Sequence, residues 1–312
     1  MELSRIVVNQ VFIMFLLIGV GFVLYQLKLI SDQTNKQLAS IVLYVVSPAL
    51  ILNTYQMDFN PKDAKNMLLG FLLSFVSIFL AILLSQVLRV KGKKESISTE
   101  RFCVIFSNCG FMAIPLLNAL FGEIGIFYCN TYITVFNLVL WTYGIGIMQK
   151  NQGRERKSFS HKVKPFLTPT MFSIVIGLFL YFFQIKFPAP IREATNFIAD
   201  MNTPLAMIVC GVYIAQSDFL SALKKWRVYL IVALKGVFLP FIIIGVFYFL
   251  PLDNMLRTTI LITASCPTGA TAILIASGYK GDVERASNVF AISTLFSIIT
   301  LPLVVLISQW MI

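Results

Sequence analysis

The sequence predicts an all-α membrane protein: ten transmembrane helices arranged as two inverted five-helix repeats, with two crossed broken helices. Three observations carry this. The chain of 312 residues is 58% hydrophobic and only 12% charged, with a mean hydropathy of +0.83, against about 25% charged residues in a soluble domain. Apolar runs of about 20 residues, the length that crosses a bilayer, recur from end to end. Two of these runs are interrupted by helix-breaking residues at matching places in the two halves, the pattern that points to a transporter binding site.

Taken in order, the spans are expected at 6–28, 36–57, 64–89, 101–121, 124–149, 165–186, 193–216, 226–250, 256–278 and 284–311. The first run is too long for the apolar core of a signal peptide, and no small-x-small cleavage site follows it. The second carries Ser47-Pro48. The fourth holds Asn108, Gly110 and Pro115 in mid-run, and the fifth Asn130, Thr134 and Asn137. Between spans five and six lies the longest loop, Lys150 to Lys164, with the lone histidine, His161, read as a solvated loop residue. Span seven contains Asp200 and Thr203-Pro204, span eight Lys235, span nine Ser265-Cys-Pro-Thr-Gly-Ala-Thr271, and span ten Asn288 and Thr294.

Internal similarity supports the repeat. Gly21-Phe-Val-Leu-Tyr25 recurs as Gly177-Leu-Phe-Leu-Tyr181, and Ser47-Pro48 as Thr203-Pro204, both 156 residues on. Gly110 and Gly122-Glu123 match Gly269 and Gly281-Asp282, 159 residues on. Five spans per repeat is an odd number, so the second repeat enters the membrane upside down.

The net charge of +11 does not mark a nucleic-acid partner, because the basic residues sit in short loops between apolar spans. Eighteen Lys and Arg fall on one side of the expected topology and six on the other. The richer side is cytoplasmic by the positive-inside rule, which places both termini outside the cytoplasm. The five cysteines, Cys103, Cys109, Cys129, Cys210 and Cys266, show no Cys-x-x-Cys spacing and read as small buried hydrophobes. No Ser-His-Asp set, Walker glycine loop, His-Glu-x-x-His or cofactor fingerprint occurs. An enzyme, a cofactor and a metal site are therefore not expected, and transport would be secondary, driven by gradients.

The residues also carry a resemblance. Gly19-Val-Gly-Phe-Val-Leu24, Leu43-Tyr-Val-Val-Ser-Pro-Ala-Leu-Ile51, Asn108-Cys-Gly-Phe-Met-Ala-Ile-Pro-Leu-Leu117, Asn202-Thr-Pro-Leu-Ala-Met-Ile-Val-Cys-Gly211 and the run from Ala286 to Pro302 resemble the auxin efflux carrier family, which includes plant PIN proteins and bacterial carboxylate permeases. The resemblance covers essentially the whole chain. It implies the fold shared with bile-acid symporters and sodium/proton antiporters. It implies a scaffold domain (1–57 and 165–217), a transport domain (58–150 and 218–312) joined by the linker 151–164, and a homodimer formed through the scaffold. The long hydrophilic central loop of many plant members is absent here, so regulation through that loop is not carried over.

On this footing the expected function is secondary transport, as an efflux carrier, of a small organic anion or carboxylate such as an auxin-like acid, malate or malonate. The mechanism would be elevator-type alternating access across the cell membrane. A sodium-coupled bile-acid-like symporter is the alternative, and a channel or a non-transporting receptor are readings from other classes. The resemblance gives Asn108, seven residues before Pro115, a part in holding the substrate carboxylate. An amide NH2 donates hydrogen bonds without charge, and a half-helix N-terminus adds free N–H groups and a positive dipole end. The competing reading is that Asn108 only satisfies broken backbone. Gly110, Pro115, Pro267, Thr268 and Gly269 complete the two breaks, with Asn130 and Asn288 as further substrate-site candidates at near-equivalent repeat positions. Pro48 and Pro204 are expected to kink helices along one wall of the pathway. Lys235 is a costly mid-span cation; attracting the anion, pairing with a buried acid and bonding the carbonyls of the broken helices all remain open for it. Asp200 is the proton-coupling candidate, as a buried acid able to exchange a proton. Glu123 and Asp282 read as solvated turn residues.

Overall fold

A computed structural model of the chain describes residues 2–88, 94–150, 168–218 and 222–310. The linker expected at 151–164, with His161, lies outside them. The described residues fold as helices, apart from one isolated antiparallel bridge. Seven segments are long and apolar enough to cross a membrane: Arg5–Gln26, Asp32–Thr54, Pro61–Ser85, Glu123–Met148, Ala189–Gln216, Trp226–Tyr248 and Val283–Gln309. They coincide with seven of the ten expected spans. The other three expected spans are the sixth, described as the shorter Pro169–Phe183, and the interrupted fourth and ninth.

In chain order the helices are α1 (Glu2–Gln26), α2 (Asp32–Ile41), α3 (Ser47–Thr54), α4 (Pro61–Ser85), α5 (Lys94–Ile105), α6 (Ile114–Phe121), α7 (Glu123–Val139) and α8 (Ile145–Lys150). There follow α9 (Pro169–Phe183), α10 (Ala189–Asp200), α11 (Asn202–Gln216), α12 (Trp226–Ala233), α13 (Leu239–Tyr248), α14 (Asn254–Ser265), α15 (Thr271–Gly278) and α16 (Val283–Trp310). Their starts are written in the sequence. Ser31, Asn60, Thr168 and Asp253 each accept a backbone N–H of the following first turn, and Pro61 and Pro169 occupy first-turn positions where no N–H is needed.

Among the described residues, four wide π turns interrupt the longer helices, over Val42–Val46, Cys109–Ala113, Leu140–Gly144 and Leu234–Phe238. Three are followed at once by a proline in the first turn of the next helix: Pro48, Pro115 and Pro240. Proline offers no N–H and its ring clashes with the carbonyl four residues back, which falls within each wide turn. The π turn absorbs that clash. Pro115 therefore does not itself make the break of the fourth span; the chain leaves helical geometry earlier, at Phe106–Asn108.

The outer surface is apolar, with Phe12, Leu16, Leu72 and Phe79 more than half exposed, while Asn108, Asn130, Lys235, Asn288 and Glu100 are buried. This arrangement suits a lipid environment, where polar groups turn inward. The helix α1 packs along α11 at close range. A Cβ at Gly21 would lie 2.2 Å from the Ile208 carbonyl oxygen, and one at Gly211 2.0 Å from that of Ile18. Only glycine permits this backbone approach, the small-residue packing usual between membrane helices.

Two expectations are corrected. The helix of the fourth expected span begins at Lys94 rather than 101 and buries Glu100, which Arg227 neutralises with bonds of 2.9 and 2.5 Å. Asp282 is not a solvated turn residue. It accepts Ser96 Oγ at 2.6 Å and the Arg285 N–H at 2.9 Å, capping α16, while its own N–H donates to Thr99 Oγ1. Glu123 is exposed, as expected.

Candidate functional site

The two interruptions meet. Phe106–Asn108 breaks the chain between α5 and the π turn before α6, and Cys266–Ala270 breaks it between α14 and α15. Ser107 and Thr268 form an antiparallel bridge. The Asn108 N–H donates to the Pro267 carbonyl at 2.7 Å, and the Gly269 N–H donates to the Phe106 carbonyl at 3.1 Å. Each break thus supplies the partners that the other lost, which is how irregular backbone survives in an apolar interior. Pro267, which has no N–H to give, serves as an acceptor. Thr268 fastens the junction on both sides: its N–H donates to Ser293 Oγ at 3.2 Å and its hydroxyl to the Cys103 carbonyl at 2.9 Å. A Cβ at Gly269 would stand 3.0 Å from the Ser107 carbonyl oxygen, so only glycine lets the strands come together without displacement.

Beside this crossing lies a cavity of about 110 Å³, room for several waters or a small ligand. Asn108, Gly110 and Gly269 line it, with Ser47, Ser107, Asn137, Thr170, Tyr213 and Thr271 as further polar residues and an apolar remainder that includes Ile51, Ile133, Phe136 and Leu274. Among the described residues, none that lines the cavity is charged. A Cβ at Gly110 would meet nothing within 4 Å, so the wall is open there. Asn108 is 5% exposed, and the one side-chain partner of its Nδ2 is a weak acceptor, the Cys210 thiol on α11 at 3.8 Å. At the two helix starts the Met112 N–H donates to the Asn108 carbonyl at 3.1 Å, and the Ala272 and Ile273 N–H groups donate to the Gly269 and Ala270 carbonyls at 2.9 and 3.0 Å. Both helix starts border the cavity, so it faces two positive dipole ends.

The cavity reaches toward the end of the molecule where α2 and α9 begin, as Ala39, Leu140, Thr170 and Leu274 show. At the opposite end, where α3 and α9 finish, aromatic rings fill the space. Tyr55 packs on Phe127 at 5.4 Å and Tyr181 on Phe127 at 5.1 Å, with Phe59 and Tyr128 flanking.

The other expected site residues lie elsewhere. Lys235 sits in the π turn Leu234–Phe238, is 0% exposed, and its Nζ has no hydrogen-bond partner among the described residues. Its turn packs against α5 and α16, and it does not line the cavity. Asn130 and Asn288 are 0% exposed and away from the cavity lining; the Asn288 amide has no hydrogen-bond partner among the described residues, and the Asn130 amide stands by the Tyr55 hydroxyl without a close bond. Pro48 and Pro204 are half-buried; their neighbours Ser47 and Asn202 bond each other at 3.4 Å. Asp200 ends α10 in an exposed position. The five cysteines are free and buried.

Sequence reasoning missed two features. Tyr213 and Thr271 line the cavity, and each has a buried hydroxyl without a partner. Glu100, 0% exposed, is gripped by Arg227 and lies 3.6 Å from Arg285, joining α5, α12 and α16. The available signal was a glutamate directly beside an apolar run.

Comparison with known proteins agrees with this architecture. A family model described as membrane transport protein matches residues 6–305. An uncharacterized transporter of Methanocaldococcus jannaschii is 23% identical over 310 residues, covering 95% of this chain and 96% of its own length. One of Methanothermobacter thermautotrophicus is 20% identical over 294 residues, covering 92% and 93%. One of Escherichia coli is 19% identical over 206 residues, 64% of each chain. With a broken-helix crossing beside a cavity and a family match along nearly its whole length, the chain is a multi-pass membrane protein of the membrane transport protein family, the auxin efflux carrier family.

Proposed function

We propose that this protein is a secondary active transporter that moves a small organic anion, and that the crossing is where the anion's carboxylate binds. The observation that carries the reading is the junction itself. Two helix starts and the Asn108 amide, which lacks a strong partner, border one uncharged cavity. Dipole ends and neutral donors favour an anion without trapping it as a fixed cation would.

The crossing belongs to a transport domain, 58–150 and 218–312, that moves against a scaffold, 1–57 and 165–217, with 151–164 as linker and the two five-helix repeats inverted. What supports an alternating cycle is the asymmetry of the ends: the cavity extends one way and the Tyr55–Phe127–Tyr181 rings close the other. The cavity's end is also the side with Lys28 and Lys36, hence the cytoplasmic one by charge, which suits loading for export. Pro48 and Pro204 shape the scaffold wall, and the scaffold pairs two copies in the cell membrane. Asp200 is exposed in this conformation, so the burial on which its expected proton-coupling role rests is not met here. Lys235 acts at a distance, as a buried cation whose field draws the anion inward. Asn130 and Asn288 bind in a second conformation or through water.

The experiment is gradient-driven accumulation of radiolabelled organic acids in proteoliposomes, with and without sodium and at two pH values. Accumulation against a gradient supports the reading. Saturable binding without flux would make the protein a receptor, and flux that only runs downhill would make it a channel.

A further inference from the structure

We infer that a phospholipid of the inner leaflet seats in a groove between α1, α11 and α16, and that its headgroup carries an ammonium held at Asp218. The inference goes beyond the transport reading and does not depend on it. The groove is a second cavity, of about 600 Å³, and none of its described lining residues lines the cavity at the crossing.

One wall is a single face of α1, because Phe15, Gly19, Phe22 and Gln26 follow one another at steps of three or four residues. Ile214 near the end of α11 and Leu295 of α16 add further apolar lining. Two glycines of α1 explain the gap. At Gly21 a Cβ would lie 2.2 Å from the Ile208 carbonyl oxygen, so α1 meets the α11 backbone there. At Gly19 a Cβ would meet nothing within 4 Å. One glycine joins the two helices, and the other leaves space beside the joint. Gly19, Phe22 and Gln26 are exposed, so the groove opens on the outer, apolar surface.

Its length fits one leaflet. From Phe15 to Gln26 the helix rises about 16 Å, and half of a hydrocarbon core about 30 Å thick is about 15 Å. The leaflet is the one on the side of Lys28 and Lys36, cytoplasmic by charge. Within a bilayer, association is driven by close packing rather than by the hydrophobic effect. An acyl chain laid along Phe15 and Phe22 supplies the contacts that the walls of an empty groove lack.

The surface end selects the headgroup. Gln26, Ser217 and Asp218 stand there, and among the described residues Asp218 is the one charged group in the lining. It is exposed, just past the end of α11. Its carboxylate matches an ammonium, and the Gln26 carbonyl and Ser217 hydroxyl can accept further N–H groups. Lys28 lies just beyond Gln26, at the same end of α1, where the phosphate of such a lipid would sit. A choline headgroup has no N–H to donate. A glycerol headgroup leaves the phosphate charge uncompensated beside Asp218. The groove thus prefers phosphatidylethanolamine to phosphatidylcholine and phosphatidylglycerol.

The test is native mass spectrometry of the purified full-length protein in detergent, titrated with the palmitoyl-oleoyl form of each of these three lipids. Wild type is expected to bind phosphatidylethanolamine about fivefold more tightly than either of the others. Gly19→Leu places its side chain in open space, so the fold is kept, and all three lipids should bind at least fivefold more weakly. Leu295→Trp fills the groove from α16 and should do the same. Asp218→Asn should remove the preference for phosphatidylethanolamine while leaving phosphatidylcholine binding unchanged. If Gly19→Leu and Leu295→Trp both bind phosphatidylethanolamine as wild type does, the groove is not the seat. If wild type binds phosphatidylglycerol most tightly, or Asp218→Asn keeps the preference, the headgroup assignment fails. A wild type that retains none of the three overturns the inference outright and leaves the transport reading standing.

Discussion

Asn108 concentrates the argument at the scale of single residues. Its backbone N–H belongs to the crossing, while among the described residues its side-chain amide bonds a thiol. A hydrogen bond to a charged group contributes about 1.5–3 kcal/mol, and 1.4 kcal/mol is about tenfold in affinity. Asn108→Ala should therefore weaken acid binding about tenfold or more. Asn108→Asp should do worse, since it sets a negative charge against the carboxylate. Lys235 was legible from sequence as a costly cation in an apolar span, but its surroundings were not. The expected pairing with a buried acid finds no support, because its Nζ has no partner among the described residues. An unpartnered buried cation costs folding free energy. Lys235→Met should leave the thermal unfolding midpoint in detergent unchanged or higher, with anion transport several-fold slower. A lower midpoint would mean that the lysine props the broken helices. Tyr213 and Thr271 could not be read from sequence, since a tyrosine and a threonine in apolar helices are ordinary; only the fold brings both residues to one cavity.

Among the elements, the two interruptions were legible because breakers stand where apolar periodicity demands helix. Their mutual bonding was not, since no local pattern reports that Asn108 will find Pro267, 159 residues away. Nor was the origin of the break, because the proline that catches the eye, Pro115, is accommodated by a π turn. The Glu100 cluster ties α5, and with it the first interruption, to α12 and α16. Removing one partner of a buried ion pair typically costs about 3–5 kcal/mol. Glu100→Gln should lower stability by about 3 kcal/mol, read as a reduced midpoint in thermal unfolding; an unchanged midpoint would show that the arginines find other partners. The aromatic closure makes an equally concrete prediction. If Tyr55 and Phe127 must part during each cycle, Tyr55→Cys/Phe127→Cys joined by a short thiol cross-linker should stop transport until the linker is cleaved. Full transport by the cross-linked protein would show that the rings are static packing.

At the scale of the whole molecule, composition alone separates a membrane protein from a soluble one, and the short basic loops supply an orientation. A cysteine added after Ile312 should react with an impermeant thiol reagent from outside the cell, and one placed at Arg156 should not. The reverse labelling would invert the direction of transport proposed above. The expected repeat rests on near-constant offsets of 156 and 159 residues in the sequence. The partner at each crossing contact was not, because packing between spans leaves no trace at fixed spacing. The central claim is that an organic anion crosses the membrane through the junction of the two interrupted helices. Uptake of radiolabelled 3-(4-hydroxyphenyl)propionate into proteoliposomes holding wild type or Asn108→Ala protein tests it most directly. Wild type should accumulate the acid against its gradient, and Asn108→Ala should do so at less than a tenth of that rate at subsaturating acid. Equal accumulation by both proteins, or none by either, would contradict the account.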